Sequence, residues 1–145
     1  MDALKILQSS LDELGTQVMT GDFAGYRRNI ALPFHLVTET SSIVITTEAE
    51  LKSGFDTFGT MLRTQHVSDM IRIAENADFL EPNLISGGYW TNLLEGGRRV
   101  VPPFRSRMVL RRNDDHWRVA SITNSLLNRR WPILSPEVPP YPRTP

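Results

Sequence analysis

The sequence predicts one α+β domain in which three N-terminal helices pack on a strongly curved antiparallel sheet. Up to residue 65, capped amphipathic segments alternate with glycine and proline breaks, a pattern typical of short helices. From residue 69 onward, the chain changes to long strands separated by polar turns. The clearest part is residues 102–124, which predict two long strands joined by the polar turn at residues 113–116. The 145 residues are enough to bury one ordinary core.

The first two helices are predicted from apolar residues spaced by three and four. The first begins after Asp2, a suitable N-cap, and runs from residue 3 to about residue 19. Asp22 caps a second, short helix after the break at Gly21. Pro33 is expected to end it, because a proline pushes the preceding residue away from helical angles. The inward faces comprise Leu4, Leu7, Leu11, Leu14 and Val18 in the first helix and Phe23, Tyr26 and Ile30 in the second.

Residues 34–47 predict a small strand pair, because they are rich in β-branched side chains and contain a polar turn at residues 40–42. The third helix follows directly. Thr47 and Glu50 form a capping box, in which each side chain satisfies a free backbone N–H group. This helix is expected to run to about Gln65, with an inward face formed by Leu51, Phe55, Phe58 and Leu62.

The C-terminal half of the chain predicts the sheet. Residues 69–75 form one strand, with Ile71 and Ile73 on the same face, and residues 84–94 form the next. Within the latter, residues 86–88 contain two adjacent glycines and indicate a bulge that bends the sheet. In the strand after the next turn, alternation places four residues on the inner face: Phe104, Ser106, Met108 and Leu110.

Composition limits the classes of function. The chain has 16 basic and 16 acidic residues, so no basic excess favours binding to nucleic acid. It has no cysteine, which excludes disulfides and thiol nucleophiles, and its three histidines are too dispersed for a metal site. One of them, His116, lies in a turn and is expected to be solvated. The apolar N-terminal run is too short for a signal peptide or a membrane span, so we expect a cytoplasmic protein. We also expect no metal and no cofactor.

The last residues differ in composition from the rest. We place the globular domain at residues 1–127 and a proline-rich arm or tail at residues 128–145, which cannot continue a helix or sheet. One interpretation is a disordered end. The other is an extended arm that packs Trp131, Ile133 and Tyr141 on a neighbouring molecule, since exposed tails seldom carry such large apolar groups.

Three motifs resemble those of one known superfamily. Gly21 and Asp22 separate the first two helices, Leu32 and Pro33 precede the first strand, and the sheet ends in RMVLRRNDDHWRVASI. In this order they resemble the nuclear transport factor 2-like superfamily, which includes the polyketide cyclase SnoaL and ketosteroid isomerase, over roughly residues 4–125. The resemblance implies a cystatin-like α+β barrel, with a cone-shaped sheet around a pocket that the helices close. It also implies a homodimer formed through the outer face of the sheet.

The resemblance does not extend to the catalytic groups of ketosteroid isomerase, which uses an aspartate base with a tyrosine and a protonated aspartic acid. The position of the base falls at about Thr38, next to Glu39. That of the buried acid falls at Arg105 or Ser106, and that of the tyrosine falls near Ser10. Because none of these side chains reproduces the required group, isomerase chemistry of that type is not expected.

The expected pocket supports three hypotheses about function. The first is the binding of a small, largely apolar molecule in the cone, with Thr38 and Ser106 as polar contacts. The second is an enzyme of the dehydratase, cyclase or hydrolase type, with His35 and Glu39 as acid and base. The third is a non-catalytic homodimeric interaction module that binds through its arginine-rich sheet face and its C-terminal arm. The residues expected to line the pocket are Tyr26, Phe34, Leu36, Thr38, Phe58, Tyr89, Ser106 and Met108.

Overall fold

Three helices cover one face of a curved, seven-stranded sheet in the structure, a computed structural model that describes residues 2–126 and 138. The proline-rich arm or tail predicted at residues 128–145 lies outside the described residues, apart from Val138. The helices are α1 (Ala3–Thr20), α2 (Phe23–Arg28) and α3 (Glu48–Thr64). The strands are β1 (Ile30–Val37), β2 (Ser42–Ile45), β3 (Asp69–Glu81), β4 (Leu84–Glu95), β5 (Arg98–Arg99), β6 (Phe104–Asn113) and β7 (His116–Asn124).

The strands follow the order β2-β1-β7-β6-β4-β3, and the short β5 pairs with β4. The α+β class and the curved sheet of the prediction are confirmed, but the sheet does not close into a barrel, because β2 and β3 stay at its two edges. It is also not wholly antiparallel, since β1 runs parallel to β7. A parallel pair needs a long connection, and here every element between β1 and β7 forms it.

The predicted helix caps are present in the structure. The carboxylates of Asp2 and Asp22 each accept a hydrogen bond from the backbone N–H three residues later, at 2.8 and 3.0 Å. Thr47 and Glu50 form the reciprocal capping box of α3. Hydrogen bonds from Thr46 and Thr47 lower the pKa of the Glu50 carboxyl. Each cap satisfies N–H groups that have no partner within the helix, so the sequence sets where these helices begin.

The sequence predicted that Pro33 ends α2, and this prediction is wrong. Pro33 lies within β1. The helix ends at Arg28, and Asn29 is its C-cap. The pairing of β1 with β7 shifts register between Ile30 and His35, which is the segment that contains Pro33. Because proline has no N–H to donate to a ladder, a strand tolerates it best where the pairing is already interrupted.

The bend in the β3–β4 pair arises on the strand opposite the one predicted. The register shifts between Ala74 and Asn76, so Glu75 is the extra residue and the bulge belongs to β3. The adjacent glycines of β4 face this bulge. A Cβ on Gly87 would lie 2.5 Å from Cδ2 of Leu7 in α1, so the missing side chain lets the helix approach the sheet.

The core lies between the helices and the concave face of the sheet. The inner positions predicted for β6 are all buried, and Leu4 is the exception in α1, with 43% of its surface exposed. On β3, the two isoleucines of the predicted strand face outward, away from the core. The largest fully buried side chains are Phe34, Leu7, Leu11, Ile30, Ile45, Leu51, Ile85, Leu93, Met108, Leu110 and Val119.

Candidate functional site

An inner cavity of about 120 Å³ lies between the helices and the sheet. All three helices contribute to its wall, together with β1, β3, β4, β6 and β7. Most of the wall is aliphatic or aromatic, with a few polar side chains among them. The lining residues are Leu14, Val18, Tyr26, Ile30, Phe34, Leu36, Gly54, Phe55, Phe58, Met70, Arg72, Tyr89, Thr91, Phe104, Ser106, Ile122, Asn124 and Leu126.

Six of the eight residues predicted to line the pocket surround this cavity, and two do not. Those in the wall are Tyr26, Phe34, Leu36, Phe58, Tyr89 and Ser106. Met108 has the inward orientation that its strand predicts, but it is fully buried in the core away from the cavity. Thr38 is buried at the end of β1, where its hydroxyl accepts a hydrogen bond from the backbone N–H of Ser41 at 3.1 Å.

The candidate acid and base, His35 and Glu39, are not part of the cavity wall. Both are exposed. Phe34 and Leu36 face inward, so the alternation of a strand turns His35 outward. The pair proposed for the enzyme hypothesis is therefore not within reach of a molecule in the inner cavity.

The polar groups of the inner cavity include two tyrosines, an arginine and a serine. Burial raises the pKa of Tyr26 to about 12, and it raises the pKa of Tyr89 as well. The charge of Arg72 opposes both shifts, and a hydrogen bond between Tyr89 and Ser106 lowers the pKa of that phenol. Because burial has the largest effect, both phenols remain protonated at physiological pH and present neutral hydroxyl groups to the cavity.

No pattern in the sequence pointed to Arg72. Its strand carries isoleucines at positions 71 and 73, and their apolar character favours an inward orientation for them. In the structure, the opposite set of residues faces inward, namely Met70, Arg72 and Ala74. On this edge strand the face with the two isoleucines is exposed and the face with Arg72 is partly buried, which is the reverse of the usual orientation of apolar and polar residues.

A larger, open groove of about 660 Å³ lies at the other end of α1. It runs between the N-terminal half of that helix and the turns that join β3 to β4 and β6 to β7. Arg112 lies over the ring of Trp117, 5.5 Å from its centre. The lining residues are Ile6, Ser9, Ser10, Glu13, Asn29, Phe79, Pro82, Arg112, Asp115, His116 and Trp117.

A hydrogen-bond network at this groove connects α1 to the β6–β7 turn through Asn29. The Asn29 amide nitrogen donates to the carboxylate of Glu13 at 2.9 Å, to Oε1 of Gln17 at 3.2 Å and to the carbonyl of Gly25 at 3.3 Å. Since all three are acceptors, they assign the orientation of the amide. Its oxygen, 2.9 Å from Nε2 of His116, must then accept the proton of that nitrogen. His116 is therefore a part of this network and not the solvated turn residue that the sequence predicted.

No group of three or more His, Asp and Glu side chains in residues 2–126 and 138 is arranged to hold a metal ion. Within the same residues, no helix has the length and apolar character needed to cross a membrane. The expectation that the protein uses no cofactor stays a prediction.

Comparison with known proteins identifies the fold. No family model and no curated protein matches the sequence. Among solved structures, an NTF-2 like protein of unknown function from Shewanella oneidensis has 11% identity and a TM-score of 0.64, covering 81% of this chain and 93% of its own. An NTF2-like protein with a cystatin-like fold from Novosphingobium aromaticivorans has 13% identity and a TM-score of 0.61, covering 84% and 80%. A ketosteroid isomerase-like protein from Erwinia carotovora atroseptica has 14% identity and a TM-score of 0.60, covering 86% and 96%.

These likenesses confirm the fold that the sequence motifs indicated. At such low identity they carry no activity from one protein to another, because this fold hosts many functions.

Proposed function

Starting from the nuclear transport factor 2-like fold, we propose that the protein binds a small, largely apolar molecule in the inner cavity. The observation that supports this most directly is the composition of the cavity wall, where aromatic and aliphatic side chains surround a few polar groups. Ligand sites in proteins generally have this character. The volume of about 120 Å³ also bounds the size of the ligand. An engineered apolar cavity of about 150 Å³ binds benzene, so a single ring with one small substituent is the scale to test.

Filling the cavity should weaken this binding. We expect Ser106→Leu to weaken the binding of benzyl alcohol by at least about 10-fold, because the branched side chain points into the space that the ring would occupy. The dissociation constants are measured by titration calorimetry and by NMR shifts of the cavity residues. Thr123→Leu is the matched control, since it adds the same side chain at an exposed position of β7, and it should change the constant less than about twofold.

Unchanged binding to the Ser106→Leu protein would contradict the proposal, and so would a wild-type protein that takes up none of benzyl alcohol, toluene and cyclohexanol. A thermal melt of both variants shows that each remains folded.

We further propose that two copies pair through the outer face of the sheet. Ile71 and Ile73 are 45% and 55% exposed on β3, where they form an apolar strip beside the half-buried Trp90. Arg105 lies over the Trp90 ring at 4.7 Å, and the indole N–H donates to Glu75 at 2.7 Å. Exposed apolar surface next to an ordered aromatic group is typical of an interaction site. A second copy is the partner implied by the superfamily resemblance.

A charge on the apolar strip should prevent this pairing. We expect the double variant Ile71→Lys/Ile73→Lys to halve the molar mass measured by light scattering, because two lysines per copy would have to lose their hydration in the interface. Leu4→Lys, at a similarly exposed leucine of α1 on the helical side of the sheet, should leave the mass unchanged. A wild-type protein that is monomeric at high micromolar concentration would refute the pairing.

A further inference from the structure

Arg72 brings a positive charge into the wall of the inner cavity, and no carboxylate among the described residues pairs with it. Its side chain is partly buried, and Nη2 lies 3.2 Å from the sulfur of Met70. The ion pairs found in residues 2–126 and 138 are those of Arg27, Lys52 and Arg105 with carboxylates at the surface, and none includes Arg72. A thioether is a weak acceptor, so within residues 2–126 and 138 most N–H donors of this guanidinium are left for another group.

The backbone on both sides of Arg72 is held by the first helix. The side-chain nitrogen of Gln8 donates to the Arg72 carbonyl at 2.8 Å, and its oxygen accepts from the N–H of Ala74 at 2.8 Å. These two bonds link the bulged edge strand to α1 at the level of the cavity. The arginine side chain is therefore directed inward by a fixed backbone, and not by a mobile loop.

The charge on Arg72 cannot be removed, because a guanidinium stays protonated in proteins. Taking such a group out of water costs free energy unless an anion or several acceptors replace the lost hydration. The neighbouring polar groups of the wall include the phenols of Tyr26 and Tyr89, which are neutral donors and do not supply a negative charge. The cavity thus offers a cation and two hydroxyl donors to whatever enters it.

We infer that the ligand of the inner cavity is a small monocarboxylic acid, whose carboxylate pairs with the guanidinium of Arg72 while its apolar body contacts the aromatic wall. This inference rests on the proposed function of the cavity and names the ligand class. A planar carboxylate matches the fork of N–H donors that a guanidinium presents. Tyr26 and Tyr89 then donate to the carboxylate oxygens, and the ring or branched chain fills the remaining volume.

The test compares benzoate with benzyl alcohol, two probes of similar shape of which only the first is charged at pH 7. On the wild-type protein, we expect benzoate to bind at least about 10-fold more tightly than benzyl alcohol, because hydrogen bonds to charged groups are stronger than neutral ones. Arg72→Met keeps most of the length of the side chain and removes the charge. This variant should weaken the binding of benzoate by at least about 10-fold and change the dissociation constant of benzyl alcohol less than about twofold.

Two further variants test whether the preference for benzoate depends on the guanidinium group in the cavity or on arginines elsewhere on the surface. Arg72→Lys keeps the charge without the fork and should retain part of the preference for benzoate. Arg111→Met removes an exposed arginine of β6 and should leave both constants unchanged.

The possible outcomes distinguish this inference from the proposal it rests on. Binding of benzyl alcohol without a preference for benzoate would refute the inference of a carboxylic acid and still support the proposed binding of a small apolar molecule. Binding of neither probe would overturn both. Since the comparison on the wild-type protein needs no variant, the inference remains testable even if Arg72→Met fails to fold.

Discussion

Replacing Gly87 with alanine is expected to lower the free energy of unfolding by about 3 kcal/mol, because the new methyl group has no space. Its Cβ would lie 2.5 Å from Cδ2 of Leu7 and 2.7 Å from the backbone oxygen of Asn76. Leu7 is fully buried on the inner face of α1, and the Asn76 oxygen belongs to the bulged part of β3, so neither yields without a shift of backbone or core. Chemical denaturation followed by circular dichroism measures the change.

Gly88 provides a matched control on the same strand. Neither glycine has a left-handed φ, so alanine changes the backbone entropy of the unfolded chain similarly at both positions. A Cβ on Gly88 would meet the side-chain ends of Asn76 at 3.4 Å and of Arg107 at 3.5 Å, which are ordinary van der Waals contacts. Gly88→Ala should therefore cost less than about 1 kcal/mol. Equal losses for the two variants would show that the close approach of α1 at Gly87 is not the cause.

Replacing Asn29 with aspartate is expected to destabilise the protein by about 3 kcal/mol at neutral pH. Asn29 is only 7% exposed, and its amide nitrogen serves three acceptors, one of which is the carboxylate of Glu13. An aspartate would set a second negative charge against Glu13 and leave the oxygens of Gln17 and Gly25 without their donor. Denaturation at pH 7 measures the loss in free energy of unfolding.

A second substitution in the same protein restores a hydrogen-bond donor in place of the lost amide of Asn29. Glu13→Gln in the Asn29→Asp background removes the charge repulsion and lets the new amide at position 13 donate to the new carboxylate, so at least about 1 kcal/mol should return. Part of the loss should also be recovered on acidification, because a protonated aspartic acid is again a donor. If Glu13→Gln recovers nothing, the network around Asn29 is not what the substitution disrupts.

Several elements were predictable because their causes are local. The caps at Asp2, Asp22 and Thr47 depend on side chains within three residues of the N–H groups they satisfy, and the structure contains each of them. The inward residues of β6 follow from strict alternation over a long strand that is covered on one face. The prediction of most pocket residues rests on the spacing of three and four in helices, on the alternation in strands, and on the superfamily resemblance.

The incorrect predictions concern places where distant parts of the chain meet. The parallel pairing of β1 with β7 joins strands that are nearly the length of the domain apart, and Pro33 fits into β1 only where that pairing shifts register. For Arg72 the sequence made no prediction; it faces inward with Met70 and Ala74, while Ile71 and Ile73 on the same edge strand are exposed. His116 is held by Asn29, 87 residues earlier in the chain.

Patterns along the chain were enough to predict where the helices start, which face of the β6 strand is buried, and that the domain is of the α+β class. The helix starts depend on side chains within three residues, the buried face of β6 on alternation along one strand, and the class on the order of helical and strand patterns along the chain. Two features became known from the folded arrangement alone: the sheet stays open, and an arginine reaches the inner cavity without a carboxylate partner among the described residues. Such features arise where elements far apart in the chain meet, and no local pattern records which side chains will face each other there.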